Sequence, residues 1–206
     1  MPTLPAFRVA GIAPRPAAKL PQGAGRWRRA RLITHTRNPE GRVFEAPEHA
    51  PRGLPALLAL IGFIGLCLLV GAAGSGMTAD SARGWYLTLA RPPGVPPSIA
   101  FPVVWTILYV MMGTAAWLAW RQPGHRPALR LWGWQLLANA LWTPAFFGLQ
   151  RPSLGLAVLA ILLPLITLTL RALWRLDRRA GLLMLPYLLW SLYATYLNLG
   201  FRWLNP

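Results

Sequence analysis

The stretch Gln135-Leu-Leu-Ala-Asn-Ala-Leu-Trp-Thr-Pro-Ala-Phe-Phe-Gly148 decides the fold. It lies inside an uncharged run, Leu131 to Gln150, that is long enough for a helix to cross a hydrocarbon core of about 30 Å. Two amides, Gln135 and Asn139, lie one turn apart within it. The same helical face continues with Trp142, Thr143 and Phe146. Because an unpartnered polar group is costly in hydrocarbon, we interpret this face as the wall of a ligand pocket.

Similar apolar runs recur along the chain, which has 206 residues, of which 55% are hydrophobic and 13% are charged. Short basic connections separate them, and continuous apolar runs indicate helices rather than the strands of a barrel. Membrane spans are expected at about residues 54–73, 100–120, 131–149, 153–171 and 181–203. The sequence therefore predicts an all-α integral membrane protein, with one bundle of five transmembrane helices over residues 54–206.

The segment before the first span, residues 1–53, is basic and rich in proline. It holds ten Lys and Arg residues against three Glu residues, and its composition predicts a disordered tail. The whole chain carries a net charge of +16, but its arginines lie in this tail and between the apolar runs. There they set topology and contact the lipid bilayer, so we expect no nucleic-acid partner. A single cysteine excludes a disulfide within one chain.

The connections between the spans differ in charge on the two sides of the predicted bundle. The side that holds the connections after the second and fourth spans has seven arginines against one aspartate, whereas the other side has four against one. Positive charge favours the cytoplasmic side, so we expect a multi-pass protein of a bacterial cell membrane with its N-terminus in the cytoplasm.

Conventional catalysis is not expected from this sequence. No predicted span carries a carboxylate or a histidine, and neither a Ser-His-Asp set nor metal-ligand spacing is present. The sequence therefore predicts no catalytic residue and no metal site. The missing carboxylates also disfavour a proton-driven transporter.

Aromatic side chains are abundant, with eleven Trp, five Tyr and seven Phe. An interfacial belt accounts for six tryptophans, Trp85, Trp120, Trp132, Trp134, Trp174 and Trp203. Trp105, Trp142 and Trp190 lie deeper and align with polar neighbours, so core packing and ligand stacking both remain open for them. Asn139 has the same two alternatives, a hydrogen bond between helices or a ligand contact. An uncharged aromatic pocket with a few amides suits a flat, largely apolar ligand.

The connection over residues 77–100 contains a proline cluster that forbids a regular helix and stiffens the chain. We expect it to form a lid over the mouth of the bundle. Its candidate residues are Trp85, Arg91, Pro92, Pro96 and Pro97.

Five ordered motifs resemble those of the translocator protein family, also called the tryptophan-rich sensory proteins. They are Trp85-Tyr86-x-x-Leu89-x-Arg91-Pro92-x-x-x-Pro96-Pro97, Phe101-x-x-x-Trp105-x-x-x-Tyr109, Gln135-Leu-x-x-Asn139-x-x-Trp142-x-Pro144-x-Phe146-Phe147-Gly148, Pro186-Tyr187-x-x-Trp190 and Ala194-x-x-Leu197-Asn198. The resemblance covers residues 54–205, and it departs from the family at Arg91, where lysine is usual.

The resemblance implies a five-helix membrane receptor or sensor that binds porphyrins, haem or other tetrapyrroles, and in some members sterols, and that forms a homodimer. It implies no obligatory cofactor. A transporter of porphyrins or sterol-like ligands and a weak porphyrin-degrading enzyme are the alternatives. The pocket residues that it implies are Tyr86, Trp105, Tyr109, Asn139, Thr143, Phe146, Trp190 and Ala194, to which the face described above adds Trp142.

Overall fold

The computed structural model describes residues 53–206, and within this range every regular element is a helix. In chain order these are α1 (Leu54–Arg83), α2 (Trp85–Thr88), α3 (Ala100–Trp120), α4 (Arg126–Thr143), a π-helical turn (Pro144–Gly148), α5 (Pro152–Leu176) and α6 (Arg178–Leu204). The predicted all-α membrane bundle is confirmed. The tail predicted over residues 1–53 lies outside the described residues, apart from Gly53.

Helix α1 extends ten residues beyond the predicted end of the first span, so the expected long connection begins later than we predicted. The extension, residues 74–83, contains two glycines, two serines and one threonine, which are residue types common in loops. The hydroxyls of Ser75 and Thr78 instead donate to the carbonyls of Gly71 and Gly74, one turn back, at 3.0 Å each. Their polar groups are thereby satisfied within the helix, and only the part to Gly76 is apolar enough to span.

Among the described helices, four are long and apolar enough to cross a membrane, namely α1, α3, α5 and α6. The remaining predicted span forms α4 and the π-helical turn. Helix α4 begins at Arg126, five residues earlier than expected, because Pro127 suits a first helical turn. Its two arginines and its amides lower its mean hydropathy, although it packs against α1, α3 and α5 inside the same bundle.

The π-helical turn follows from Pro144. Proline lacks an N–H and its ring crowds the preceding turn, so α4 ends at Thr143. The helix continues as a wider π-helical turn, which is closed by a hydrogen bond from the Leu149 N–H to the Pro144 carbonyl at 2.8 Å. Phe146 lies within this turn and is buried.

Close helix contacts depend on glycine at the interface of α1 and α3. A Cβ atom added to Gly113 of α3 would lie 2.6 Å from the Cα atom of Ile64 in α1. No larger residue fits without separating the two backbones. One tryptophan that we assigned to the interfacial belt also lies here. Trp132 is buried, because α4 starts early enough to place it two turns inside, and its indole N–H donates to the Met112 carbonyl at 3.2 Å.

Candidate ligand site

Three helices are joined at the centre of the bundle by a chain of hydrogen bonds. The Tyr109 hydroxyl on α3 donates to Oδ1 of Asn139 on α4 at 2.9 Å, and the Asn139 amide donates to the Tyr187 hydroxyl on α6 at 3.1 Å. All three side chains are buried. Asn139 therefore ties three helices together, and one amide hydrogen and one oxygen lone pair remain for a ligand.

Trp105 lies beside this triad. Its ring centroid is 5.4 Å from that of Tyr109 and 6.3 Å from that of Tyr187. The indole is half-buried, so one part packs in the core while the rest stays accessible. These offset and edge contacts are favourable for aromatic pairs and hold the indole in one orientation.

A second aromatic group, which we call the loop-side cluster, surrounds Phe146 near the π-turn. The Trp142 and Phe146 rings are stacked at 5.3 Å with an interplanar angle of 19°. Residues Leu89 and Val95 of the connection between α2 and α3 pack on this cluster. Its aromatic members are Trp85, Tyr86, Trp142, Phe146, Phe147, Tyr193 and Phe201. The structure thus places Tyr86, Trp142 and Phe146, all predicted site residues, in one layer beneath the predicted lid.

Two residues at the loop-side cluster carry buried polar atoms without partners. The indole nitrogen of Trp142 and both amide atoms of Asn198 have no hydrogen-bond partner. Asn198 meets Phe146 at Gly155, where an added Cβ would lie 2.5 Å from the Asn198 amide nitrogen and 3.1 Å from the Phe146 ring. Gln135, one turn before Asn139, is also fully buried with both amide atoms unpartnered. Each such group carries a desolvation cost that a bound polar atom would offset.

The connection over residues 89–99 lies docked against α6. Asn205 accepts from the Ala90 N–H at 3.0 Å and donates to the Ala90 carbonyl at 3.1 Å. Farther along, the Tyr193 hydroxyl donates to the Gly94 carbonyl, and the Tyr196 hydroxyl donates to the Pro93 carbonyl at 3.1 Å. A few side-chain bonds from one helix therefore hold this segment over the loop-side cluster.

The predicted lid residues occupy different parts of this segment. Pro92 is buried in a notch at Gly200, where an added Cβ would lie 2.5 Å from the proline Cβ. Pro96 is half-buried and Pro97 is exposed. Arg91 is exposed and its guanidinium lies 5.6 Å from the centroid of the Tyr86 ring. Burial raises the pKa of Tyr86, and the Arg91 charge partly opposes that rise. Trp85, also half-buried, packs edge-on against Phe146.

Three predicted pocket residues are members of neither group, although Trp190 borders the loop-side cluster through Tyr193. Trp190 contacts Phe101 and Tyr193 and lines an open apolar groove of about 410 Å³ between α3 and α6. Ala194, one turn farther on α6, is half-buried. Thr143 faces α1, where its hydroxyl lies 3.1 Å from the position of a Cβ on Gly74. The predicted residues therefore belong to a central triad with Trp105, to the loop-side cluster and to a groove wall.

Several residues of this region were not assigned from the sequence. Tyr187 completes the triad, and its place in the Pro186-Tyr187-x-x-Trp190 motif was the signal that could have found it. Asn198 was quoted in a motif without a role. Asn205 and Tyr193 carried no signal, because their partners lie about 100 residues away in sequence. In the described part of the chain, no group of three His, Cys, Asp or Glu residues could hold a metal ion.

Comparison with known proteins places this arrangement in a family. The model of the TspO/MBR family matches residues 63–204. Tryptophan-rich protein TspO of Chlorobaculum tepidum is 42% identical over 154 residues, which cover 73% of this chain and 98% of that protein. Tryptophan-rich sensory protein of Cereibacter sphaeroides is 40% identical over 121 residues, 59% of this chain and 77% of that one. Translocator protein of Bos taurus is 32% identical over 154 residues, 72% and 89% of the two chains. The chain belongs to the TspO/MBR family of membrane sensory and translocator proteins.

Proposed function

We propose that this protein is a membrane receptor that binds a tetrapyrrole among the aromatic side chains beneath the 89–99 segment and regulates its handling. The single observation that carries the proposal is the unpartnered indole N–H of Trp142 within the loop-side cluster, with the unpartnered amide of Asn198 next to Phe146 at its edge. A ligand with a flat apolar body and polar edges matches both features of that layer.

The stacking surface supports a flat ligand. Trp142 and Phe146 present nearly parallel rings, and a macrocycle inserted beside them would extend this stack. The buried N–H and amide groups would orient its nitrogens or carboxylates, since only polar partners relieve their desolvation. Entry requires the 89–99 segment to move, and the bonds from α6 that hold it are few enough to break reversibly.

The test is a titration of the full chain in nanodiscs with protoporphyrin, followed by the shift of the porphyrin absorption band. Trp142→Phe keeps an aromatic ring but removes the N–H. It should weaken binding about 2- to 12-fold, the value of one hydrogen bond of about 0.5–1.5 kcal/mol. The matched control is Trp174→Phe on the partly exposed face of α5, which should leave the affinity unchanged.

Two outcomes would count against this site. Absence of any saturable absorption shift would remove tetrapyrrole binding altogether. A loss of binding in Trp190→Ala with no effect of Trp142→Phe would move the ligand to the groove between α3 and α6.

A transporter is the second candidate, and the name of the Bos taurus relative, Translocator protein, favours it. The α3–α6 groove opens toward the lipid and would give an apolar ligand a lateral route. Porphyrin uptake into proteoliposomes that rises above protein-free vesicles, and that falls in Trp190→Ala, would support transport over sensing. Turnover of bound porphyrin under illumination would instead indicate a degrading enzyme.

We also propose a bacterial cell-membrane location with the N-terminus in the cytoplasm. The support is the excess of arginine at the α3–α4 and α5–α6 connections and in the helix ends beside them. A C-terminal alkaline phosphatase fusion should be active, because that enzyme matures only outside the cytoplasm. Activity of a reporter that works only in the cytoplasm, fused at the same position, would show that the proposed orientation is wrong.

A further inference from the structure

The end of the bundle opposite the 89–99 segment is strongly basic. It holds the α3–α4 connection, the α5–α6 connection and the first turn of α1, since successive spans alternate in direction. Its seven arginines are Arg121, Arg126, Arg130, Arg171, Arg175, Arg178 and Arg179. Asp177 is the only carboxylate in these two connections. Among the described residues, this end of the bundle therefore carries a large excess of positive charge.

Asp177 itself is already used for a structural purpose. Its side chain caps α6 by accepting a hydrogen bond from the Arg179 N–H at 2.8 Å. A carboxylate at the start of a helix interacts favourably with the helix dipole, and this one negative charge cannot balance seven arginines.

Arg121 is the most constrained of the seven. Its guanidinium carbon lies 4.8 Å from the ring centroid of Trp117. The indole N–H of Trp117 donates to the Ala56 carbonyl at 2.8 Å, which fixes the ring against the first turn of α1. The Nε atom of Arg121 is enclosed by protein and has no hydrogen-bond partner. A guanidinium held over an aromatic ring, with its Nε enclosed, can turn only its terminal N–H groups toward an acceptor with several oxygens.

We propose that this end of the bundle binds the headgroups of anionic phospholipids, with Arg121 on Trp117 as the anchoring contact. The charge excess matches an anionic partner, and the surroundings favour lipid over an acidic protein. Partly exposed tryptophans accompany the arginines, with Trp120 beside Arg121 and Trp174 beside Arg175. Tryptophan is enriched at the headgroup level of a bilayer, and arginine reaches that level by extending its side chain along the helix.

The experiment uses the full chain in nanodiscs of phosphatidylcholine with or without phosphatidylglycerol. Retained lipids are counted by native mass spectrometry, and unfolding is followed by heating. Phosphatidylglycerol should be retained preferentially and should raise the unfolding temperature, and the increase should shrink at high salt. Arg121→Gln should weaken phosphatidylglycerol retention about fivefold, which corresponds to one basic residue near an anionic surface. The phosphatidylglycerol retention of Arg121→Lys should lie between that of the wild type and that of Arg121→Gln, because lysine keeps the charge and loses the planar guanidinium.

The matched control is Arg202→Gln, an exposed arginine at the opposite end of the bundle, which should retain wild-type lipid preference. Equal losses in both variants would overturn the assignment, since only net charge would then matter. Equal stabilisation by the two lipids would overturn it as well. An Arg121-dependent stabilisation by inorganic phosphate in phosphatidylcholine discs, or by polyglutamate but not by phosphatidylglycerol, would show that the occupant is a free anion or an acidic protein.

Discussion

The contact between Asn205 and Ala90 gives the sharpest prediction, because one side chain at the end of α6 holds the 89–99 segment through two hydrogen bonds. Asn205→Ala removes both. Each is worth about 0.5–1.5 kcal/mol, and Ala90 is exposed while Asn205 is half-buried, so the lower half of that range applies. The expected loss is about 1–2 kcal/mol, which increases the open fraction of the segment about 5- to 30-fold.

The opening can be measured by labelling a cysteine on the inner side of the segment. Val95 is half-buried and packs on the loop-side cluster, so Val95→Cys should react with a bulky maleimide only when the segment lifts. The buried Cys67 should not react in the folded protein. The labelling rate should rise by the same factor of about 5–30 when Asn205→Ala is added, because the rate follows the open population when reclosing is fast.

Trp203→Ala is the matched control, since Trp203 lies two residues away and is 86% exposed. It should leave the labelling rate unchanged. Gly200→Ala is an independent perturbation, because its Cβ would lie 2.5 Å from Pro92 and would push the segment outward. The reasoning fails if Asn205→Ala changes the rate less than twofold, or if Trp203→Ala changes it equally.

Three further predictions concern the bundle itself. Gly113→Leu should prevent α1 from approaching α3 and abolish cooperative thermal unfolding in detergent, whereas Gly133→Ala, which meets open space, should be neutral or stabilise by up to about 1 kcal/mol. A lower unfolding temperature for Gly133→Ala would contradict this. Tyr187→Phe removes one partner of Asn139 and should cost about 0.6–1.7 kcal/mol in denaturant unfolding, and an unchanged midpoint would show that the triad bond contributes nothing. Cys67 should remain unlabelled by maleimide until the protein is denatured, and prompt labelling of the folded protein would place it at a surface.

Local sequence was sufficient for the helical architecture. Uncharged runs of about 20 residues can satisfy their backbone in lipid only as helices, so the positions of α3, α5 and α6 could be predicted within a few residues. The proline cluster predicted the non-helical segment 89–99 for the same reason, since proline acts on its own stretch of chain. The end of α1 was missed because serine and threonine bonded their own helix, an arrangement that composition alone does not distinguish from a loop.

The grouping of the candidate site residues required the tertiary structure. Periodicity placed Asn139, Trp142 and Phe146 on one face of α4, and that face does point inward. Periodicity could not show that Asn139 forms hydrogen bonds with Tyr109 and Tyr187. It also could not show that Trp142 and Phe146 stack on each other in the loop-side cluster, away from that triad.

The sequence by itself determined that the chain is a bundle of apolar helices, and its motifs indicated the family. The helical bundle follows from the chemistry of short apolar segments in lipid. The family follows from residue patterns within those segments. Only the tertiary structure decided which helices share a hydrogen-bond network, and that Asn205 holds Ala90, 115 residues earlier in the chain. Contacts at that separation depend on which helices meet and how far they slide past each other, and no local pattern encodes those pairings.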